Sequence, residues 1–477
     1  MVFQSRRQFL AQHAMGIGSV ALAWLLQQEA SFGKPKSVAA QPHNDLKPRT
    51  PEFTPRAKAM ISLFQHGGPS HTDLTDPKPA LTRYSGTDYS GDIHFSFVNE
   101  ASKKLLGSPF RFQPRGNCGT ELSELLPHTS KIVDDLCLIR SMHTGANGHE
   151  VSIRYFHGGI PGIGRPTLGS WLVYALGSES QNLPAYMVLT DPGGLPVDGA
   201  TNWSNGFMPA MFQGTVLRPR EPRILNLQAP AHLVGAFQRQ NLNLLQQLNA
   251  DYLAAHPGEA ELEARIASYE LAARMQTAAA EALDISQETA ATHAMYGIDR
   301  NETREYGTRC LIARRLVERG VRFVQLFHAG QPWDNHSSIA TALPKICRTT
   351  DQPAAALVQD LKQRGMLDST LVHWGGEIGR LPVTQDHGSP EKAGRDHNGQ
   401  GFSIWLAGGG IRGGLAFGKT DEFGHRAVEN VVTPNDFQAT IMHLFGLDHQ
   451  QVAYPHNSQQ QIITARRTAR VVEEIVA

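Results

Sequence analysis

Short polar loops that contain histidine and carboxylate residues recur along this sequence. One of them, QPWDNHSSI at 331–339, presents Asp334 and His336 directly after the apolar run 321–327. Neutral imidazoles and carboxylates together form the ligand set for zinc, manganese and related divalent ions. The alternative for any single pair of this kind is an ordinary exposed polar loop, so the pair gains weight only if other such loops converge on it.

Four other loops carry the same residue types, each beside a short apolar run. These loops are HGGPSHTD (66–73), HTGANGHE (143–150), GEIGR (376–380) and GRDHN (394–398). Two divalent ions held by such loops could clamp the attacking and leaving oxygens of a phosphoryl or sulfuryl transfer. Bidentate guanidinium groups could bind the remaining anionic oxygens; the candidates are Arg140, Arg154, Arg380 and Arg395.

The elements that must position these loops are short strands buried on both faces. The apolar runs are 59–64, 136–142, 183–189, 321–327, 369–375 and 402–408. Each is apolar at both alternate positions, which is typical of strands inside a parallel sheet. Helical patterns alternate with them at 165–177, 436–448 and 464–477, and 224–320 is mostly helical. This order predicts an α/β doubly wound fold with a helical insertion, and ligands bind such sheets at the carboxyl ends of the strands.

The amino terminus has the form of an export signal. Ser5-Arg6-Arg7-Gln8-Phe9-Leu10 matches the twin-arginine pattern, and an apolar segment from Met15 to Leu26 follows it. That segment is too short for a comfortable membrane span, and the small residues 37–40 offer a cleavage site. An amphipathic surface helix with a chance arginine pair is the alternative. We therefore expect a signal at 1–40, a linker at 41–57 and a single domain at 58–477.

Composition excludes some partners. The chain has 477 residues with 44 basic and 44 acidic side chains, so its formal net charge is +0. Because the chain has no excess of positive charge, nucleic acid and anionic membrane are poor partners. The four cysteines form no CxxC pair, which disfavours a thiolate zinc site. Two disulfides and four unpaired thiols both remain open.

An ordered set of motifs resembles a known family. HGGPSHTDLTDPKP, RSMHT, GRPTLGSWLVYALG, WDNH, GEIGR and GRDHNGQGFSIWLAGGGIRGG are similar to the DUF1501 family, exported bacterial proteins with a domain of unknown function placed in the alkaline phosphatase and sulfatase superfamily. The resemblance implies an alkaline-phosphatase-like fold, with a largely parallel central sheet, helices on both faces and a mostly helical insertion at about 224–320.

The resemblance also implies a divalent metal ion as cofactor, with zinc, manganese or calcium as candidates. The ligand positions that it suggests are Asp334, His336, Glu377, Asp396, His397, Asp73 and His66. A nucleophile or base is expected among Thr144, Ser141 and His149. The implied function is an exported hydrolase that acts on a phosphate or sulfate ester, with a small molecule or a polysaccharide as substrate and the twin-arginine machinery as export partner.

The sequence departs from the superfamily pattern at two points. Gly376-Glu377-Ile378 stands where an Asp-His pair is expected, and no C/S-x-P-x-R sulfatase motif occurs. These departures leave a second function open, a non-catalytic periplasmic binding or assembly protein with the same fold.

Overall fold

The structure is a computed structural model that describes residues 45–96, 101–227, 235–256, 260–385 and 389–477. The expected twin-arginine signal lies outside the described residues. Eight strands form the central sheet, and we number them in chain order: β1 Ala59–Phe64, β2 Leu136–Met142, β3 Tyr186–Leu189, β4 Thr215–Leu217, β5 Phe323–Leu326, β6 Thr370–Gly375, β7 Phe402–Ala407 and β8 Leu415–Phe417.

The spatial order of the strands is β8-β2-β7-β6-β1-β5-β3-β4. Every neighbouring pair is parallel except the two that β7 makes, with β2 and with β6. The carboxyl ends of β1, β2, β5 and β6 therefore lie at one edge of the sheet, and the amino end of β7 lies there too. All five polar loops open onto that edge.

Ten α-helices lie in the described part of the chain. They are α1 His71–Leu74, α2 Pro79–Arg83, α3 His149–Gly158, α4 Leu168–Leu176, α5 Ala236–Ala255, α6 Ala260–Leu283, α7 Ala290–Met295, α8 Asn301–Glu318, α9 Ile339–Gln363 and α10 Pro434–Leu444. Two-stranded pairs complete the structure: Ala101–Leu105 with Val383–Gln385, Phe112–Arg115 with Thr120–Ser123, Gly379–Arg380 with His397–Asn398, Lys419–Thr420 with Ala427–Glu429, and Ala453–His456 with Gln459–Ile462.

Two apolar cores sandwich the sheet. Ile61 and Leu63 of β1 face the core that α8 and α9 cover. Met60 and Phe64 point the other way, into the core that α3, α4 and α10 cover. Successive side chains of the strand thus enter opposite cores, which explains why apolar residues occur at both odd and even positions of the run. The predicted fold class, α/β with a largely parallel sheet and helices on both faces, is confirmed.

The helix predicted at 464–477 is wrong. Only a single 3-10 turn forms there, at Glu473–Ile475. Ala465 and Arg466 adopt positive φ values of 51° and 60°, and the Arg412 amide donates to the Ile475 carbonyl. The buried side chain of Ile475 joins the core, so tertiary contacts override the local helix propensity of these residues.

All four cysteines are free thiols, and Cys118 is the exposed one. Within the ranges that the structure describes, no helix is long and apolar enough to cross a membrane.

Candidate metal centre

Three side chains converge at the carboxyl edge of the sheet. Asp334 Oδ1 lies 2.8 Å from His336 Nε2 and 3.1 Å from His397 Nε2. The two Nε2 atoms are 2.9 Å apart. Adjacent ligand atoms in a tetrahedral zinc site are separated by about 3.3 Å, given metal–ligand bonds of about 2.0–2.1 Å. The three atoms therefore have the spacing of one face of a ligand tetrahedron.

Hydrogen bonds alone cannot satisfy this triangle. The Asp334 oxygen only accepts, so each imidazole would have to present an Nε2–H toward it. Two such protons would then face each other across the 2.9 Å contact between His336 and His397. A cation placed among the three atoms would instead meet a lone pair from each of them. The donor set thus fits a divalent ion.

The chain holds Asp334 in place from two sides. The Trp333 amide donates to the His66 carbonyl over 3.2 Å, which ties the loop after β5 to the loop after β1. Gly67 lies at this contact with a φ of +104°, and a Cβ there would come within 2.6 Å of the Asp334 amide nitrogen. Gln331 Nε2 donates to Asp334 Oδ2 over 2.6 Å. The Asp334 carboxylate is therefore fixed before any ligand binds.

His149 adds a fourth side chain. It is the first residue of α3, and its Nε2 atom lies 3.4 Å from Asp334 Oδ2. Its Nδ1 atom lies 2.7 Å from Glu377 Oε1, so Nδ1 carries the proton and donates. The buried Nε2 atom faces Asp334 and has no hydrogen-bond partner among the residues that the structure describes. A carboxylate behind an imidazole is the usual support for a metal-binding histidine.

His336 has a similar support. Its Nδ1 atom lies within hydrogen-bond distance of Gln385 Oε1, which orients Nε2 toward Asp334. Asp396 lies on the same side, with Oδ1 3.9 Å from His336 Nδ1. The Asp396 carboxylate accepts from the Ser96 and His397 amides, both over 2.7 Å. Its contacts place it beside the imidazoles of His336 and His397.

Arg380 brings a fixed positive charge to the centre. The guanidinium is fully buried and forms an ion pair with Asp334 Oδ1. It also donates to the carbonyls of Gly67, Gly68 and Arg395. Its position follows from the short pairing of Gly379–Arg380 with His397–Asn398, which also delivers His397.

Charges and burial set the protonation of the ion-free site. Burial alone would raise the pKa of Asp334, but Arg380 and the three histidines outweigh it and hold that pKa well below its usual range. Burial lowers the pKa of His149, yet Asp334 and Glu377 outweigh it and raise that pKa to about 9. Burial is also the main reason that the pKa of His397 is lowered. Asp334 is therefore ionised, and His149 is protonated at neutral pH.

The remaining expected ligands lie around this group rather than in it. Glu377 is fully buried and contacts His149 and the Gly67 amide, the latter over 3.0 Å. His66 Nε2 lies 3.3 Å from Asn202 Oδ1, and burial lowers its pKa to about 4. Asp73 is fully buried and is paired with Arg395 over 2.7 Å.

The expected hydroxyls lie on neighbouring loops and bind main-chain carbonyls. Ser141 Oγ donates to the Asn430 carbonyl over 2.6 Å. Thr144 Oγ1 lies 3.3 Å from the Ala146 carbonyl and 3.5 Å from the Gly399 carbonyl. Ser141 and Thr144 therefore direct their hydroxyls to main-chain carbonyls. The side chains that the structure brings together are Asp334, His336, His397 and His149, with Asp396 and Glu377 beside them.

Sequence reasoning missed two supporting residues and the role of a third. Gln331 and Gln385 were not singled out, and Arg380 was expected to bind substrate oxygens rather than Asp334. Gln331 lies three residues before Asp334, so its position in the same loop was a usable signal. Gln385 approaches His336 across 49 residues, and no local pattern could have indicated that contact.

The fold and these side chains define an α/β protein with a candidate divalent-ion centre at the carboxyl edge of its sheet. The chain belongs to the family described as "Protein of unknown function (DUF1501)", whose sequence model matches residues 57–476. The family assignment made from the motifs is confirmed. A search of curated proteins found no match.

Several solved structures resemble the chain at low identity. The PsFucS1 sulfatase from Pseudoalteromonas sp. is 11% identical, with a TM-score of 0.36 over 90% of this chain and 71% of the sulfatase. The lipoteichoic acid synthase LtaP from Listeria monocytogenes is 8% identical, with a TM-score of 0.32 over 85% of this chain and 76% of the synthase. The alkaline phosphatase from the Antarctic bacterium TAB5 is 10% identical, with a TM-score of 0.26 over 76% of this chain and 93% of the phosphatase. Likenesses this weak assign no activity.

Proposed function

We propose that this chain is an exported, metal-dependent hydrolase that acts on a phosphate or sulfate ester. The observation that carries the proposal is the triangle of Asp334 Oδ1, His336 Nε2 and His397 Nε2, with edges of 2.8, 3.1 and 2.9 Å. His149, whose Nε2 atom is oriented toward the same carboxylate, completes a four-residue ligand set. Zinc and manganese suit this mixture of imidazole and carboxylate, and calcium suits it less because it prefers oxygen ligands.

A divalent ion bound there would supply a Lewis acid toward an ester oxygen and would lower the pKa of a coordinated water. The chain's own residues orient the donor atoms. Glu377 holds the His149 ring with Nδ1–H toward Oε1, so that Nε2 points at Asp334. Gln385 orients His336 in the same way. These contacts fix the rings before a ligand arrives, which is the preorganisation that catalysis needs.

The ester class is proposed from the charge of the site. Phosphate and sulfate esters are anions, and a divalent ion next to the buried guanidinium of Arg380 favours negative charge that develops on a transferring group. The nucleophile is either a hydroxyl from Ser141 or Thr144, or a water. We propose a small molecule or a polysaccharide as the carrier of the ester.

Elemental analysis of the purified chain, without added metal or chelator, tests the metal. We expect zinc or manganese in the wild-type protein and none in the Asp334→Ala, His397→Ala double variant. His456→Ala, on the hairpin that begins at Ala453, is the matched control and should keep its ion. Wild-type protein and control are then screened with phosphate and sulfate monoesters. Full retention of metal in the double variant would contradict the assignment of Asp334 and His397 as ligands.

A non-catalytic binding or assembly protein is the second candidate. The observation that favours it is that Ser141 and Thr144 direct their hydroxyls to main-chain carbonyls. Among the described residues, the hydrogen bonds that Asp334 accepts come from no hydroxyl. This function predicts a protein inert toward every ester tested that co-purifies with a stable exported partner.

Export and domain organisation follow as proposals of their own. We propose that residues 1–40 direct the folded chain through the twin-arginine pathway and that 41–57 is a linker. Residues 58–477 would then form one domain with a helical insertion. Replacing Arg6 and Arg7 with lysine should block export of the full chain, measured by cell fractionation. Unchanged export would contradict the twin-arginine assignment.

A further inference from the structure

The helix α5 presents a large apolar surface to solvent. Five of its apolar side chains are between 52% and 67% exposed, and Tyr269 of the adjacent α6 is 69% exposed. The five are Phe237, Leu244, Leu245, Leu248 and Tyr252. Single exposed leucines are ordinary on a protein surface. Six large apolar side chains on two adjacent helices instead form a continuous patch of the kind that marks an interaction site.

The helix α5 lies on the outer side of the helical insertion. The neighbouring α6 packs on the body of the domain, where its Met275 is buried in the core. The helix α5 is held to α6 by Gln238, whose Nε2 atom donates to Gln276 Oε1 over 2.6 Å. Leu244 and Leu248 lie about 120° and about 80° around the helix from Gln238. These leucines therefore point away from α6 and into solvent.

The exposed side chains of α5 follow a two-fold pattern. Phe237 lies seven residues before Leu244, and Tyr252 lies seven residues after Leu245. Seven residues make about two helical turns, so each aromatic ring lies two turns from the central pair of leucines. A two-fold axis between Leu244 and Leu245 would place Phe237 of one copy opposite Tyr252 of an antiparallel second copy. A symmetric dimer requires a surface that is complementary to itself in this way.

The charges of α5 favour a second copy over a lipid surface. Arg239 and Asp251 are the only charged residues of this helix, and most of its other polar residues are asparagine and glutamine. Helices that bind lipid surfaces are rich in lysine and arginine on their polar face, and α5 is not. Two neutral faces can approach each other without repulsion between like charges. Leu248 would meet Asn241 across the axis, an uncharged side chain that such an interface tolerates.

The area of the patch also suits a dimer. Six side chains of this size, each more than half exposed, present on the order of 700 Å² of surface. The largest apolar patch of a typical monomer covers about 300–600 Å². A stable interface covers about 800 Å² on each partner. The patch therefore approaches the size of a standard interface before its polar rim is counted.

We propose that two copies of this chain associate through α5, antiparallel and about a two-fold axis that passes between Leu244 and Leu245. Phe237 of each copy packs against Tyr252 of the other. Tyr269 extends the contact, since it lines one groove together with Leu245. The inference is independent of the proposed hydrolase function, because these residues belong to the helical insertion and not to the loops that form the metal centre.

Sedimentation velocity of the full chain over a dilution series tests the association. The wild type should sediment with twice the mass of one chain. The double variant Leu244→Glu, Leu248→Glu should be a monomer, because a dimer would have to bury four carboxylates. Its circular dichroism should match that of the wild type, since both positions are exposed. Val428→Glu is the matched control, because Val428 is 61% exposed on the strand Ala427–Glu429, outside the insertion. This control should remain dimeric.

Cysteine cross-linking tests the antiparallel geometry. Cys118, the exposed native thiol, is first replaced by serine. The double variant Phe237→Cys, Tyr252→Cys should then form a disulfide-linked dimer under mild oxidation, measured on a non-reducing gel. Either single variant should remain largely unlinked, because its two copies of the new thiol would lie about 20 Å apart along the paired helices.

Each alternative has its own outcome. A wild type that is monomeric at every concentration would overturn the proposal, and flotation of that monomer with phosphatidylcholine vesicles would assign the patch to a lipid surface instead. A dimer that persists in the double glutamate variant would place the interface elsewhere on the molecule. Cross-linking of the single variants as strong as that of the double variant would exclude the antiparallel register. If the glutamate variant does not fold, the cross-linking of the double cysteine variant still decides.

Discussion

His336 and His397 face each other with their Nε2 atoms 2.9 Å apart, although the two residues lie 61 positions apart in the chain. Each Nε2 atom also lies within 3.1 Å of the same oxygen of Asp334. At most two of these three contacts can be hydrogen bonds, because two protons would otherwise meet between the rings. A bound cation satisfies all three atoms, and the consequences can be measured.

Asp334→Asn should abolish metal binding and weaken the fold. The amide keeps the shape but removes the charge that Arg380 and the histidines face, and it leaves the buried guanidinium without its counter-ion. We expect a loss of about 3–5 kcal/mol in the free energy of unfolding, measured by denaturant titration without metal. Asp191→Asn, which removes the partner of Arg309, is the control, and this variant should keep the wild-type metal content. A stable Asp334→Asn protein with wild-type metal content would contradict this account.

The ion-free protein should lose stability as the pH rises from about 6.5 to about 9. The folded-state pKa of His149 is raised to about 9 from an unfolded value of about 6.5. A raised pKa means that the folded state holds the proton more tightly, so the stabilisation is complete below pH 6.5 and disappears above the folded pKa. The difference corresponds to roughly 3 kcal/mol.

Urea denaturation of chelator-stripped protein at several pH values in this window measures the effect. His149→Gln removes the titrating ring, so its stability curve should be flatter than that of the wild type over the same range. Equal slopes for the two proteins would show that His149 is not held as an imidazolium between Glu377 and Asp334.

Glu377→Gln should weaken metal binding while the fold is kept. The amide oxygen can still accept from His149 Nδ1 and from the Gly67 amide, so the ring keeps its orientation. The carboxylate charge that makes His149 Nε2 a stronger metal ligand is lost, and the affinity for Zn²⁺ should fall about 10–100-fold. Calorimetry on stripped protein measures this change. Complete loss of binding with an intact fold would instead make Glu377 a direct ligand.

The sheet could be predicted because each strand is encoded locally. Ile61 and Leu63 face one core and Met60 and Phe64 the other, so the run AMISLF is apolar at every position except Ser62 and indicates a strand buried on both faces. The loops after the strands then had to meet at one edge. That reasoning sufficed to single out Asp334, His336 and His397 without knowledge of their distances.

The finer assignments depended on contacts between distant segments. Asp73 meets Arg395 across 322 residues, and Glu377 meets His149 across 228. Spacing in the sequence indicates which residue types are present, but which carboxylate meets an arginine and which meets an imidazole depends on the tertiary packing. The helix prediction for 464–477 was wrong for the same reason, because burial of Ile475 decided the conformation of that segment.

Acid should destabilise the protein through histidines that are buried uncharged. Burial lowers the pKa of His373 to about 3, and Ser62 is its hydrogen-bond partner over 3.0 Å. A lowered histidine pKa means that the unfolded chain takes up the proton first, so stability falls as the pH drops below about 6.5. His373→Phe should reduce this acid dependence, measured by denaturation between pH 7 and pH 4. It should also cost about 1 kcal/mol at neutral pH, because Ser62 loses its partner. An unchanged acid slope would contradict the prediction.

Ser141→Ala and Thr144→Val should keep the wild-type metal content, since neither hydroxyl contacts the ligand atoms of Asp334. Ser141 is fully buried and donates to the Asn430 carbonyl, so its loss should cost about 1 kcal/mol of stability. If water is the nucleophile, both variants should retain ester hydrolysis within about fivefold. A loss of about a thousandfold or more in one variant, with its metal intact, would identify that hydroxyl as the nucleophile. Metal content and kcat measured on the same preparations distinguish these two mechanisms.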